Sequence, residues 1–90
     1  PVVALIGNDA AWTQIRRGQV GLYGEQRAVA TTLEHTHYEK VVEAVGGKGL
    51  WVDSLAGLGP ALDEAFASDR PACVNVCIGD SGFRKNAISV

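Results

Sequence analysis

A chain of 90 residues with a net charge of −2 does not carry the clustered Lys and Arg that a nucleic-acid surface needs. Its composition, 47% apolar and 20% charged, is that of a folded chain rather than a disordered one, and its length allows one domain burying roughly 60–65% of its unfolded surface. No apolar run approaches the ~20 residues of a membrane span, and Pro1-Val2-Val3 does not resemble the basic start of a signal peptide.

The run Val2 to Ile6 is apolar throughout and bounded by Gly7, the pattern of a strand buried on both faces of a parallel sheet. A domain seldom begins at such a strand, so the chain reads as a piece of something longer. Gly7-Asn8-Asp9-Ala10-Ala11 is a turn, and a short helix is expected from Ala11 or Trp12 to Gly18. Residues 19–35 hold Gly21 and Gly24 without a sustained period and read as a long loop or lid. His37 to Val45 is the clearest helix: Tyr38, Val41, Val42 and Val45 make one apolar stripe, with Thr36 and Glu39 placed as a capping box and Gly46-Gly47 as the stop. Leu50-Trp51-Val52 is a short strand, and Ser54 is placed to cap the helix that follows. That helix carries Leu55, Leu58, Leu62, Ala65 and Phe66 on one side, with Val42 and Phe66 expected to face the sheet. Pro60 is expected to bend it or to separate its first turn. Ala72 to Ile78 is a last apolar strand, followed by a tail from about residue 79. Strands alternating with helices imply parallel strands and right-handed crossovers, hence an α/β, Rossmann-like layered fold.

Cys73 and Cys77 sit four apart on one strand, about 13 Å between Cα atoms, too far for a disulfide. A reducing, cytoplasmic setting follows as the expectation. With His35 and His37 they match no familiar zinc spacing, and they read more simply as small core residues. Asp80-Ser81 with either His shares only residue types with a catalytic triad. Arg16-Arg17 and Arg84-Lys85 read as solvated surface. There is no Gly-Lys-Ser/Thr or Gly-x-Gly-x-x-Gly phosphate loop.

Ligands of open α/β sheets bind beyond the carboxyl ends of the strands, so three turns qualify: Gly7 to Ala11, Asp53-Ser54 and Gly79-Asp80. In the first, an Asn side-chain oxygen near a backbone carbonyl offers hard ligands suited to Mg²⁺, too few to hold it alone. The alternative for the same residues is an Asx-turn that starts the helix.

The run Pro1 to Trp12 resembles the end of the thiamine-diphosphate motif, in which a Gly-Asp-Gly turn precedes an Asn-Asn or Gly-Asn pair by roughly thirty residues. His37-Tyr38-Glu39-Lys40-Val41-Val42-Glu43-Ala44-Val45-Gly46-Gly47, then Leu50-Trp51-Val52, then Arg70-Pro71-Ala72-Cys73-Val74-Asn75-Val76 are similar to the C-terminal end of acetolactate synthases, benzaldehyde lyase and 2-hydroxyacyl-CoA lyases. The resemblance covers residues 1–78 and implies the second half of a thiamine-diphosphate-binding domain. It implies an Asn8 side-chain ligand and an Ala10 carbonyl ligand to Mg²⁺, which in turn holds the cofactor's diphosphate. Ala11 and Trp12 lie at the cofactor, while Asp9 does not ligate. Trp12, Gln14 and the segment Gln19 to Ala30 border the thiazolium and substrate, although Trp12 also suits buried packing. The Gly-Asp-Gly aspartate and the glutamate that activates the cofactor are not among these residues.

The implied parent makes or breaks a carbon–carbon bond next to a carbonyl, takes a small-molecule 2-keto acid or 2-hydroxyacyl thioester, and forms a homodimer or tetramer. The 90 residues alone are expected to be catalytically inert. A stand-alone α/β interaction or regulatory module is the reading from another class.

Overall fold

A computed structural model describes residues 1–79, so Asp80, Ser81, Arg84-Lys85 and the rest of the tail lie outside the described residues. Strand β1 spans Val3–Asn8, helix α1 Thr13–Tyr23, helix α2 Tyr38–Ala44, strand β2 Lys48–Val52, helix α3 Leu55–Ala67 and strand β3 Ala72–Cys77. A 3-10 turn, Glu25–Arg27, follows α1. Among the described residues the three strands of the sheet pair in parallel, in the order β1-β3-β2, with Asn8 opposite Cys77 and Val52 opposite Val76. The α/β class and the order of elements follow the sequence reading.

The two faces of the sheet differ in chemistry. On one face Val52, Ala61, Ala65, Ala72 and Val74 form a buried apolar core, flanked by Val3, Leu50, Leu58, Leu62 and Val76. There α3 packs on β2 and β3 through two alanines, Ala61 and Ala65, whose small side chains let the helix come close. Lys48 Nζ reaches Glu64 Oε1 at 3.0 Å and ties β2 to the same helix. On the other face α2 packs on β2 and β3 over Cys73, buried Asn75 and Gly49. The sheet is thus the middle of three layers.

Several expectations are corrected. Helix α1 runs past Gly18 and Gly21 to Tyr23, so the irregular segment starts at Gly24 rather than residue 19. Open space surrounds both glycines, so each costs the helix only its ~1 kcal/mol of propensity. Gly24, at φ 87°, then ends the helix with its N–H on Val20 O. The capping box does not form: His37 is the N-cap residue of α2, without a side-chain cap, and Glu39 turns inward. The stripe expected on α2 is mostly outside, with Val41 63% and Val45 82% exposed. The face toward the sheet is Glu39, Val42 and the stem of Glu43, because Gly47 and Gly49 lie directly beneath them. On α3, Leu55 and Phe66 are exposed, Phe66 by 72%. Neither belongs to the core, which Leu58, Leu62 and Ala65 of the expected stripe reach together with Ala61. Helix α3 is continuous through Pro60, and Ser54 Oγ accepts from Gly57 N–H as expected of a cap. Among the described residues β1 lies at the edge of the sheet and is not buried on both faces, with Leu5 57% exposed.

Candidate functional site at the end of strand β1

The chain leaves β1 through two successive Asx-turns. Asn8 Oδ1 accepts from Ala10 N–H at 3.2 Å, and Asp9 Oδ1 accepts from Ala11 N–H at 3.2 Å. Asp9 Oδ2 accepts a short hydrogen bond from the Thr13 hydroxyl, so both Asp9 oxygens organise the start of α1. Ala10 sits in the left-handed region at φ 59°, at a cost of about 1–2 kcal/mol for a residue with a Cβ. Two hydrogen bonds offset this: Leu33 N–H donates to Ala10 O at 2.7 Å, and Trp12 N–H to Thr31 O at 2.8 Å. Ala11 also pairs with Thr32 in an antiparallel bridge. The segment after α1 is held from its other side by Gln19, whose Nε2 donates to Val29 O and whose Oε1 accepts from the Thr31 hydroxyl.

These contacts shape a cleft of about 150 Å³ lined by Gly7, Asn8, Ala10, Ala11, Trp12 and Leu33, among others. Asn8, Ala10, Ala11 and Trp12 are therefore brought together at one opening. Trp12 is 60% exposed, so a buried packing role is not its part here. Asn8 and Ala10 supply oxygens of the hard type that Mg²⁺ takes, each with one lone pair engaged and a second available. The donor set fits the metal in kind and supplies part of its coordination.

Behind the cleft lies a polar cluster that the sequence reading did not assign. Asn8 is 5% exposed, Glu39 3% and Asn75 0%. Asn8 Nδ2 donates to Thr36 O at 3.0 Å and to Asn75 Oδ1 at 3.1 Å. Asn75 Nδ2 donates to Thr36 O at 2.8 Å and to Glu39 Oε2 at 2.7 Å. Glu39 Oε1 lies 2.6 Å from His37 Nδ1, and the His37 ring rests against Trp51 at 4.3 Å. Burial pushes the Glu39 carboxyl up, but hydrogen bonds from Asn75 and His37, its own backbone N–H and the charge on His37 together hold it below its ordinary value. Burial and the nearby Glu39 charge push the Cys73 thiol up, which makes it an inert packing residue rather than a nucleophile. The signal in the sequence was an Asn in the middle of the apolar strand Ala72–Cys77, which has to find partners to be buried there.

The remaining candidates do not assemble. The Asp53-Ser54 turn is used as the cap of α3. His35 Nε2 approaches Ile78 O at 3.3 Å while His37 turns to Glu39. Among the described residues no three metal-ligating side chains cluster, and both cysteines are free thiols. Of the Arg16-Arg17 pair, Arg16 lies 3.6 Å from Glu25. No described helix is long and apolar enough to cross a membrane.

The chain is 41% identical over 96 residues to a 2-hydroxyacyl-CoA lyase 2 of Caenorhabditis elegans, and 37% identical over 95 residues to the human protein of that name. Each alignment covers 100% of this chain and 15% of the relative. It is also 45% identical over 75 residues to an acetolactate synthase large subunit of Mycobacterium tuberculosis, covering 83% of the chain and 14% of that protein. The chain thus spans about 15% of the length of the curated relatives it matches. Residues 1–76 match the model of the thiamine pyrophosphate enzyme C-terminal TPP-binding domain, and the chain belongs to that family.

Proposed function

We propose that this chain is the C-terminal part of the thiamine-diphosphate domain of an enzyme that makes or breaks a carbon–carbon bond beside a carbonyl. The substrate class is a 2-hydroxyacyl thioester or a 2-keto acid, in keeping with the names of its relatives. In this reading residues 1–90 are one unit with a tail from about residue 79, the setting is cytoplasmic, and the active form is a homodimer or tetramer. The cofactor, when bound, supplies the carbanion-stabilising centre at which the bond changes.

The contribution of these residues is to bind and orient. Asn8, through its side-chain oxygen, and Ala10, through its carbonyl, would hold Mg²⁺ against the diphosphate. Ala11 and Trp12, on the rim of the cleft, would hold the cofactor, and Gln14 and the segment 19–30 would border the substrate. The observation that carries the reading is Asn8 itself: a buried carboxamide whose nitrogen is held inward by two acceptors and whose oxygen lies on the side of the Ala10 turn. A side chain needed only to start α1 would not call for those inward partners, since Asp9 already performs that task.

The test is a calorimetric titration of thiamine diphosphate into the intact apoprotein at several Mg²⁺ concentrations. Asn8→Ala is expected to weaken Mg²⁺-dependent cofactor binding in a protein that still folds, its apo unfolding midpoint lowered because Asn75 Oδ1 loses a buried donor. An unchanged Mg²⁺ dependence would remove Asn8 from the metal site.

A further inference from the structure

We infer that Asn75 and Glu39 are positioning residues for Asn8: a buried chain of hydrogen bonds, from α2 through β3 to the end of β1, that fixes which end of the Asn8 carboxamide faces the cleft. The inference rests on the reading of Asn8 as a metal ligand and adds two residues to it.

A carboxamide has two ends of nearly equal size, so shape does not decide which faces a ligand. Partners decide it. An ionised carboxylate only accepts, so Glu39 Oε2, at 2.7 Å, requires the nitrogen end of Asn75. The Asn75 oxygen is thereby turned toward Asn8, at 3.1 Å, and requires the nitrogen end of that side chain. Asn8 Oδ1 is left on the opposite side, with Ala10 N–H. The Thr36 carbonyl accepts from both amides and supports the same sense. Reversing either amide would place oxygen against oxygen at roughly 3 Å in a site excluded from water. With Asn8 reversed, a cation would meet an N–H donor instead of a lone pair.

Stability alone does not account for this cluster. Asn75 lies between Val74 and Val76 in the central strand and is completely buried. Exchanging a buried polar or charged group together with its partner for apolar side chains of similar volume is often neutral or stabilising. Every buried side-chain nitrogen and oxygen among the described residues has a partner, so the set is complete and not a remnant. Groups behind a ligand that fix its orientation typically carry 10–100-fold in metal affinity.

The experiment uses the intact protein that carries this chain, stripped of cofactor, and reads by calorimetry the Mg²⁺ concentration that half-saturates binding at excess thiamine diphosphate. The double variant Glu39→Leu with Asn75→Val removes both partners at once and leaves no unpaired buried charge. Its half-saturating Mg²⁺ is expected to rise about tenfold, the lower end of the usual range because Thr36 still holds one Asn8 N–H. Its cofactor-free unfolding midpoint should stay at or above the unsubstituted value. Glu39→Gln, which keeps an acceptor toward Asn75, should remain within about threefold, the size of context effects on a single hydrogen bond. Should the double variant fail to fold, Asn75→Ser serves instead, since its short hydroxyl cannot span from Glu39 to Asn8, and the same rise is expected. If Asn8→Ala raises the Mg²⁺ requirement while these variants leave it unchanged, the positioning role is overturned and the metal-ligand reading stands. If Asn8→Ala itself has no effect, both fall.

Discussion

Gly49→Ala probes the contact that sets the height of α2 above the sheet. A Cβ on Gly49 would lie 2.3 Å from Glu39 O, 2.9 Å from Glu39 C and 2.8 Å from Glu43 Cγ. Two of the three are backbone atoms, so no side-chain rotation relieves the clash. Ordinary contact begins near 3.4 Å, so the helix must withdraw by about 1 Å. Overpacking of this kind costs about 1–3 kcal/mol, and a backbone clash belongs at the upper end. The displaced residue is Glu39, so the hydrogen bond to Asn75 should lengthen as well. A loss of 2–3 kcal/mol corresponds to roughly 30–150-fold faster exchange of the β2 and β3 amides where local opening governs exchange. Hydrogen exchange with mass spectrometry on the intact protein measures this segment by segment. Gly18→Ala, with open space at its Cβ, is the control and should stabilise α1 by about 0.5–1 kcal/mol. Unchanged protection of residues 48–52 and 72–77 in Gly49→Ala would refute the packing of α2 described above.

Two further expectations concern acid and the α3 interface. The folded-state Glu39 pKa lies below its reference value of 4.5. The stabilisation it contributes is therefore complete above that value and disappears as pH falls through the lower, folded-state pKa. Glu39→Gln should flatten the fall of the thermal midpoint in that window, with His37 and Cys73 as its ionisable neighbours. An equally steep fall in the variant would locate the acid sensitivity elsewhere. On α3, Ala65→Leu should destabilise the β2–β3 region by about 1–3 kcal/mol, because Ala65 is 1% exposed against the core. Phe66→Ala should leave exchange in β2 and β3 as it was, and accelerated exchange there would show that Phe66 reaches the sheet.

The sequence was sufficient for what depends on local pattern. Apolar runs bounded by glycine marked the strands, Ser54 marked the start of α3, and Asn8 at a strand end marked the cleft. It was also sufficient for the family, because several segments in a set order are jointly more specific than any one of them. Periodicity decided only in part which residues of a helix are buried. On α2 the sheet receives Val42 of the expected stripe with Glu39, while Val41 and Val45 stay outside; on α3 it receives Leu58, Leu62 and Ala65 with Ala61, while Leu55 and Phe66 stay outside. Close approach selects small side chains and glycine floors over large hydrophobes. Gly18 and Gly21 read as breaks because propensity is local, while the bonds that hold α1 and the loop after it involve Thr31, Leu33 and Gln19, up to 23 residues apart along the chain. Asn75, Glu39 and Asn8 are separated by 36 and 67 positions, and only the parallel register of β1 and β3 beneath α2 brings their side chains into one chain of hydrogen bonds. Such a cluster has no period in sequence, because its partners are chosen by the pairing of strands and not by spacing along one.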